Sequence, residues 1–451
     1  MKTTRFSLVL ACLMAISAVA AAAEDDPLKK GLAAYEAEDY ATALAVWRPL
    51  AEAGNTEAQF YIGYMTEQGQ GLPADPEIAV NWYRRAASLG HARAQYNLGL
   101  ALLRGRGTGA DPVEAARWIE RSARQGHAPA QHAYGLLLLQ GTGVTADAAN
   151  GASFVKQAAE QGHVPAQELL GVLYVQGKGV AKDLDEAVRW LRAAGQAGSP
   201  EAVYMLAQLD PSRGLDPTSP ASLEKIRKAA ELGFAQAQFD LAAILAEGRG
   251  VAKDEAAAAE WLAKAAGQGH PRACHDLGVF HAEGRGVAKD PAKALELFRR
   301  SAEQGLPEGQ YAYGRALHTG EGVEKDQGAG FAWYLKAAQS GLPRAQYAVG
   351  AAYLEGLGVG QDYGKAMEWL RKGADAGNPD AMYSIGTLYA NGWGVGKDLE
   401  MSRRWYCKAA HGGHPWALSM FKEKGVEASC GPAATAAPAQ PAPPPPPAAK
   451  P

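Results

Sequence analysis

A pair of glycines followed by an aspartate returns along this chain at a fixed step of 36 residues. It reads Gly69-Gln-Gly71 with Asp75, then Gly105 with Asp111, Gly141 with Asp147 and Gly177 with Asp183. After one gap it resumes as Gly248 with Asp254, Gly284 with Asp290, Gly320 with Asp326, Gly356 with Asp362 and Gly392 with Asp398. A self-similar period of this size signals stacked structural repeats. Such an array grows by adding units and never closes a single core, so the 451 residues need not be cut into ordinary globular domains.

Each unit opens on a small residue, as at Ala58, Ala94, Ala130 and Ala166. Apolar residues follow at four and seven positions, for example Ile62 and Met65, or Leu170 and Leu173, which is one face of an amphipathic helix A. Glycine stands five positions in (Gly63, Gly99, Gly135, Gly171, Gly278, Gly314, Gly350, Gly386). Glycine inside a helix costs about 1 kcal/mol against alanine, so this column predicts a close approach by the backbone of a neighbouring helix. The Gly-x-Gly pair suits a helix C-terminus, and the aspartate suits the N-cap of a helix B. Pro76, Pro112 and Pro291 then fall at the first helical position, where their missing N–H does no harm. Helix B carries a large residue at one register: Trp82, Trp118, Phe154, Trp190, Trp261, Leu297, Trp333, Trp369 and Trp405. These are expected core residues. A second glycine (Gly90, Gly126, Gly162 and equivalents) stops helix B.

The resulting pattern, with Ala381-Met-Tyr-Ser-Ile-Gly-Thr-Leu-Tyr-Ala-Asn-Gly-Trp-Gly-Val-Gly-Lys-Asp398 as a close instance, resembles the Sel-1-like repeat, a relative of the tetratricopeptide repeat. The resemblance implies an all-α fold, a right-handed α-solenoid of about ten 36-residue helix-turn-helix units. The expected organisation is a signal peptide over 1–23, an opening half-repeat over 24–55, the solenoid over 56–427 and a disordered Ala/Pro-rich tail over 428–451. One unit is irregular near 209–220, where three prolines replace the glycine pair and Ile226 is read as replacing the tryptophan.

Lys2 and Arg5, the apolar run Phe6 to Ala20 and the small residues Ala21 to Ala23 read as an export signal. A periplasmic location is therefore expected, with secretion as the alternative. No second long apolar run follows, so no membrane span is expected in the mature chain. The net charge of −3 comes without a basic stripe, which argues against nucleic acid. Cys407 and Cys430 are a candidate disulfide pair if the last helix folds back; a set of free small apolar thiols is the other reading.

Little in the sequence points to catalysis, and no metal or cofactor is expected. His91, His127, His163, His270 and His414 all follow a unit-ending glycine and belong to the repeat. Ser153-Phe-Val-Lys156 and Ser222-Leu-Glu-Lys225 match Ser-x-x-Lys, which matters because cysteine-rich members of the resembled family are linked to penicillin binding and β-lactam hydrolysis. A cell-wall-active enzyme of that type is the alternative function. The Ser-Asp-Asn and Lys-Thr-Gly partners are missing, as are closely spaced cysteine pairs.

The leading expectation is a non-enzymatic, monomeric adaptor or scaffold that binds other proteins or peptide segments in a cell-envelope process. By analogy with tetratricopeptide solenoids, helix A lines the concave, partner-binding surface. Candidate contacts are Tyr61, Tyr64, Asn97, Leu100, Arg104, Leu136, Gln140, Leu169 and Val172, an apolar stretch with polar edges. Asp240, Glu247, Asp276 and Glu283 form an acidic stretch expected to take a basic segment. Trp393, set between two turn glycines, is a candidate anchor that also has Tyr363 within reach as an intramolecular partner.

Overall fold

The computed structural model describes residues 26–209 and 219–423, with side chains to 420. Every described element is a helix. The chain divides near residue 217 into two units. The first opens with α1 (Pro27–Glu36) and α2 (Tyr40–Glu52). Four A/B pairs follow: α3 (Thr56–Gln68) with α4 (Pro76–Ser88), α5 (Ala92–Arg104) with α6 (Pro112–Arg124), α7 (Ala128–Gln140) with α8 (Ala148–Glu160), and α9 (Val164–Gln176) with α10 (Leu184–Gln196). A short α11 (Pro200–Gln208) ends it. The second unit begins with α12 (Pro220–Glu231). Its pairs are α13 (Ala235–Glu247) with α14 (Glu255–Gly267), α15 (Pro271–Glu283) with α16 (Pro291–Glu303), α17 (Pro307–Thr319) with α18 (Gln327–Gln339), α19 (Pro343–Glu355) with α20 (Tyr363–Asp375), and α21 (Pro379–Asn391) with α22 (Leu399–His411). The last described helix is α23 (Pro415–Glu423). Each unit is thus an all-α stack of hairpins, in which a helix packs on its pair and on the next hairpin.

The turn chemistry follows the repeated residues. Gly69 ends α3 at φ 72°, in the left-handed region, and its equivalents do the same. Asp75 accepts from the N–H of Ile78 at 3.0 Å, capping α4. The aspartates at 111, 147, 183, 254, 290, 326, 362 and 398 cap their own B helices alike.

The mid-helix glycines meet helix B at close range, through its side chains and its backbone: a Cβ on Gly99 would lie 2.4 Å from Ile119 and 3.1 Å from the carbonyl of Ala115, one on Gly135 2.8 Å from the carbonyl of Gly151, and one on Gly314 2.9 Å from that of Gly330. A still closer backbone approach falls on the second turn glycine. A Cβ on Gly107 would lie 2.1 Å from the carbonyl of Pro76, in the preceding hairpin. The expectation that the tryptophans form the core needs correction. Of the tryptophans in that register only Trp190 is buried, at 8 % exposure, although Leu297 at the same register is buried at 5 %. The deeply buried large side chain of helix B is the successor, such as Tyr83, Ile119, Leu191 or Leu370, each at 1 % or less. Trp82, Trp118, Trp261, Trp333, Trp369 and Trp405 are half-buried, each under a cation three residues on: Arg85, Arg121, Lys264, Lys336, Lys372 and Lys408. The same register settles Ile226. Counted back from Ala229-Ala230, it matches Tyr83, counted back from Ala86-Ala87, and not Trp82; it is buried, and Lys225 stands in the tryptophan column.

A buried glutamine joins consecutive hairpins. Gln59, Gln95, Gln131, Gln167, Gln238 and Gln346 each donate through Nε2 to the carbonyl eight residues earlier, at 2.9 to 3.4 Å. That carbonyl belongs to the last turn of the preceding helix B, where it also accepts from the N–H of the unit-ending glycine, as Ala87 does from Gly90 at 3.0 Å, so the glutamine fills its second lone pair. His91, His270 and His414 cap the next helix A by accepting through Nδ1 from Ala94, Ala273 and Ala417.

Candidate functional site

Residues three, six and ten positions after the opening alanine share one face of helix A. In the first unit this face is uneven. Tyr61 stacks on Trp47 with ring centroids 4.5 Å apart and belongs to the packing of the opening helices. Tyr64 is half-buried beside Phe60. Asn97, Leu100 and Arg104 come together with Glu67 and Arg106 around a small hollow of about 40 Å³. Arg106 pairs with Glu67 at 3.3 Å, and the Tyr83 hydroxyl donates to the same carboxylate at 2.8 Å. Burial raises the Tyr83 phenol well above its ordinary range, so it stays a donor. Leu136, Leu169 and Val172 are half-buried, with Leu169 packed on the buried cluster that includes Val155 and Leu173, while Gln140 is exposed.

The second unit holds the larger openings. A groove of about 590 Å³ lies between α15 and α17, lined by Glu283, Phe298, Tyr311, Arg315 and Arg344 among others. A second, of about 290 Å³, lies beside it with Phe239, Glu247, Asp276 and Arg285 in its walls. His275 and Val279 line both. The four acidic side chains are internally partnered. Asp240 accepts from Gln236 at 2.8 Å, Glu247 pairs with Arg249 at 2.7 Å, Asp276 meets His275 at 2.7 Å, and Glu283 lies 3.6 Å from Arg285. Cations complete the wall: Arg344 sits over the Tyr311 ring at 4.8 Å, and Arg315 lies 3.7 Å from Glu321. Tyr311, Arg315 and Arg344 escaped the sequence reading. Tyr311 stands in the aromatic column of Phe60, Tyr96 and Phe239, which was the available signal. Trp393 is 45 % exposed and lies flat on Tyr363, with centroids 5.8 Å apart.

The Ser-x-x-Lys pairs are ordinary helix-B positions. Ser153 is exposed, and Lys156 lies 3.9 Å from Glu160. Ser222 is buried, accepting from Ser219 within the cap of α12. Cys274 is a free, fully buried thiol whose pKa burial raises, with its sulfur 3.8 Å from the carbonyl of Ala266. Cys407 is disulfide-bonded, and Cys430 lies outside the described residues. The export signal and the Pro-rich tail also lie outside them. Among the described residues, no group of three or more His, Cys, Asp or Glu is placed to hold a metal, and no helix is long and apolar enough to cross a membrane.

Comparison with known proteins follows the same units. The Sel1 repeat matches nine times, over residues 56–91, 92–127, 128–163, 164–199, 235–270, 271–306, 307–342, 343–378 and 379–414. A protective antigen present in uropathogenic Escherichia coli strains, whose crystal structure displays an SLR fold, is 31% identical; the match covers 90% of this chain and 88% of that one, with a TM-score of 0.61. A Sel1 repeat protein from Oxalobacter formigenes is also 31% identical, over 78% of this chain and 93% of its own, at a TM-score of 0.40. No curated protein matches the chain.

Proposed function

This chain belongs to the Sel1 repeat family, whose fold commonly mediates protein–protein interaction, and from that premise we propose that it is an exported adaptor or scaffold of the cell envelope. The partner is a protein segment laid along the helix-A face, and the chain catalyses no reaction. The observation that carries this reading is the pair of adjoining grooves between α13, α15 and α17. They offer aromatic walls at Phe239, Phe298 and Tyr311 with charged groups at the edge, the composition of a recognition anchor. Because Glu247, Asp276 and Glu283 are partnered and Arg315 and Arg344 stand nearby, the groove suits a segment carrying both signs of charge rather than a purely basic one. The half-buried Leu100, Leu136 and Val172 give the first unit a more apolar complement. Export rests on the N-terminal signal pattern; the similar protein described as a protective antigen supports it.

Crosslinking in the native envelope followed by mass spectrometry tests the reading. One or a few reproducible partners are expected, with loss of capture in Arg344→Glu and in Leu136→Glu while both variants stay folded. Folded variants that capture the same partners undiminished would remove the helix-A face from the account.

A further inference from the structure

The helix-B side of the array contains its own internal control. Where a tryptophan occupies the repeated register, its indole lies in the seam between consecutive B helices. Trp118 packs against the cluster of Tyr83, Ala86 and Leu98; Trp369 packs against that of Tyr334 and Val349; Trp405 packs against that of Leu370 and Ile385. A cation from the same helix covers the ring in each case, Arg121, Lys372 and Lys408 respectively.

The register departs from tryptophan at Phe154, which keeps an aromatic ring packed on the cluster of Ile119 and Tyr134, at Lys225, and at Leu297, where no ring remains. Leu297 stands in the register, and a cavity of about 350 Å³ opens between α14 and α16. Ala259, Ala263 and Ala266 form one wall, Leu277 and Val287 are apolar lining, Glu260, Lys293 and Glu296 add charged groups, and Arg300 stands at the covering position three residues after Leu297. With no ring beneath it, the Arg300 guanidinium donates to the carbonyl of Ala266 at 2.6 Å. That carbonyl also accepts from the N–H of Gly269 at 2.9 Å, and the long thiol contact of Cys274, 3.8 Å, stands where sister units place the amide of the repeated glutamine. Leu297 thus lines a cavity that keeps alanine walls and a cation, while Cys274 lies behind it at the Ala266 carbonyl.

We propose that this seam receives the indole of a tryptophan presented by a partner protein, seated where the chain's own tryptophan lies in the sister seams. Apolar walls bury the ring, and the guanidinium offers its face a cation. This contact lies among helix-B residues and does not depend on the helix-A grooves.

The test uses the full chain with 5-fluoroindole as the probe, followed by fluorine NMR. A saturable shift is expected, displaced by N-acetyl-tryptophanamide and not by N-acetyl-leucinamide. Leu297→Trp supplies the missing ring from within and is expected to weaken probe binding at least about tenfold while raising the melting temperature. Ala263→Leu narrows the same seam and serves as a second plug if Leu297→Trp fails to fold. Val279→Glu, in the helix-A grooves, should leave probe binding unchanged, which separates this inference from the adaptor reading. Absence of a saturable shift, or equal affinity in a folded plug variant, would overturn the proposal.

Discussion

Gln125, Gln161 and Gln268 show how one residue completes the joint between hairpins. Each ends a helix B and donates to the Oε1 of the latch glutamine thirty residues before it, Gln95, Gln131 or Gln238, at 2.6 to 2.8 Å. Where that end position is Leu89, Ala197, Ser340 or Ala376, the Oε1 of Gln59, Gln167, Gln310 or Gln346 is buried without a partner. Ala376 has φ −83° and ψ 8°, almost the backbone of Gln125 at −82° and 1°, so the missing donor transfers without strain. Ala376→Gln is expected to add about 1 kcal/mol in urea unfolding, and Gln125→Ala to remove about as much. No gain from Ala376→Gln would mean that the orphan oxygen costs nothing. The spacing of thirty was visible in the sequence, but its meaning depends on which atoms meet. The tryptophans teach a related lesson: size suggested core, whereas the recurring Lys or Arg three residues later marked a half-exposed ring.

Imidazoles add a pH dependence at this scale. Burial holds His132 down at about 4 and also lowers His127 and His163, with His132 and His163 rings 5.2 Å apart. The unfolded chain takes up these protons near pH 6.5, and the folded chain resists until lower pH. Stability is therefore full above pH 6.5 and declines as pH falls toward 4. His132→Phe, at a position where sister units carry Phe60 and Phe239, should reduce the drop in urea midpoint between pH 7 and pH 4.5. An undiminished drop would place the titration elsewhere.

At the scale of the element, the hairpin is written in its caps, which is why helices and turns were legible almost to the residue. What the spacing alone concealed was the division of labour among glycines. Gly143 has φ 69°, and an added Cβ would lie 2.0 Å from the Pro112 carbonyl; Gly162 has φ 84° with nothing within 4 Å. Gly162→Ala should cost about 1 kcal/mol of left-handed strain, and Gly143→Ala about 3 kcal/mol or more, because it also separates two hairpins. Equal losses in chemical denaturation would deny the turn glycine its inter-repeat role. The shortened α12 shows the limit of counting by period. One residue fewer ahead of Ala229-Ala230 moves Ile226 into the core column, a shift that an alignment on the 36-residue step does not register.

For the molecule as a whole, stacking of local hairpins leaves long rows of side chains that no single core absorbs, and recognition is what such rows offer. The helix-A face was legible from periodicity, and Asn97, Leu100 and Arg104 do converge. The grooves were not, because their walls draw on three successive hairpins and on cations such as Arg315 and Arg344 that no single unit predicts. The central claim is that this face, rather than any enclosed chemistry, is the working surface. Site-specific photo-crosslinking in cells of the native host measures it directly, with the reactive residue placed at Val279 in the grooves or at exposed Glu368 on helix B. The account predicts a discrete protein adduct from Val279 that is lost with Arg344→Glu, and none of that adduct from Glu368. The same adduct from both positions, or none from Val279 in a folded protein, would contradict it.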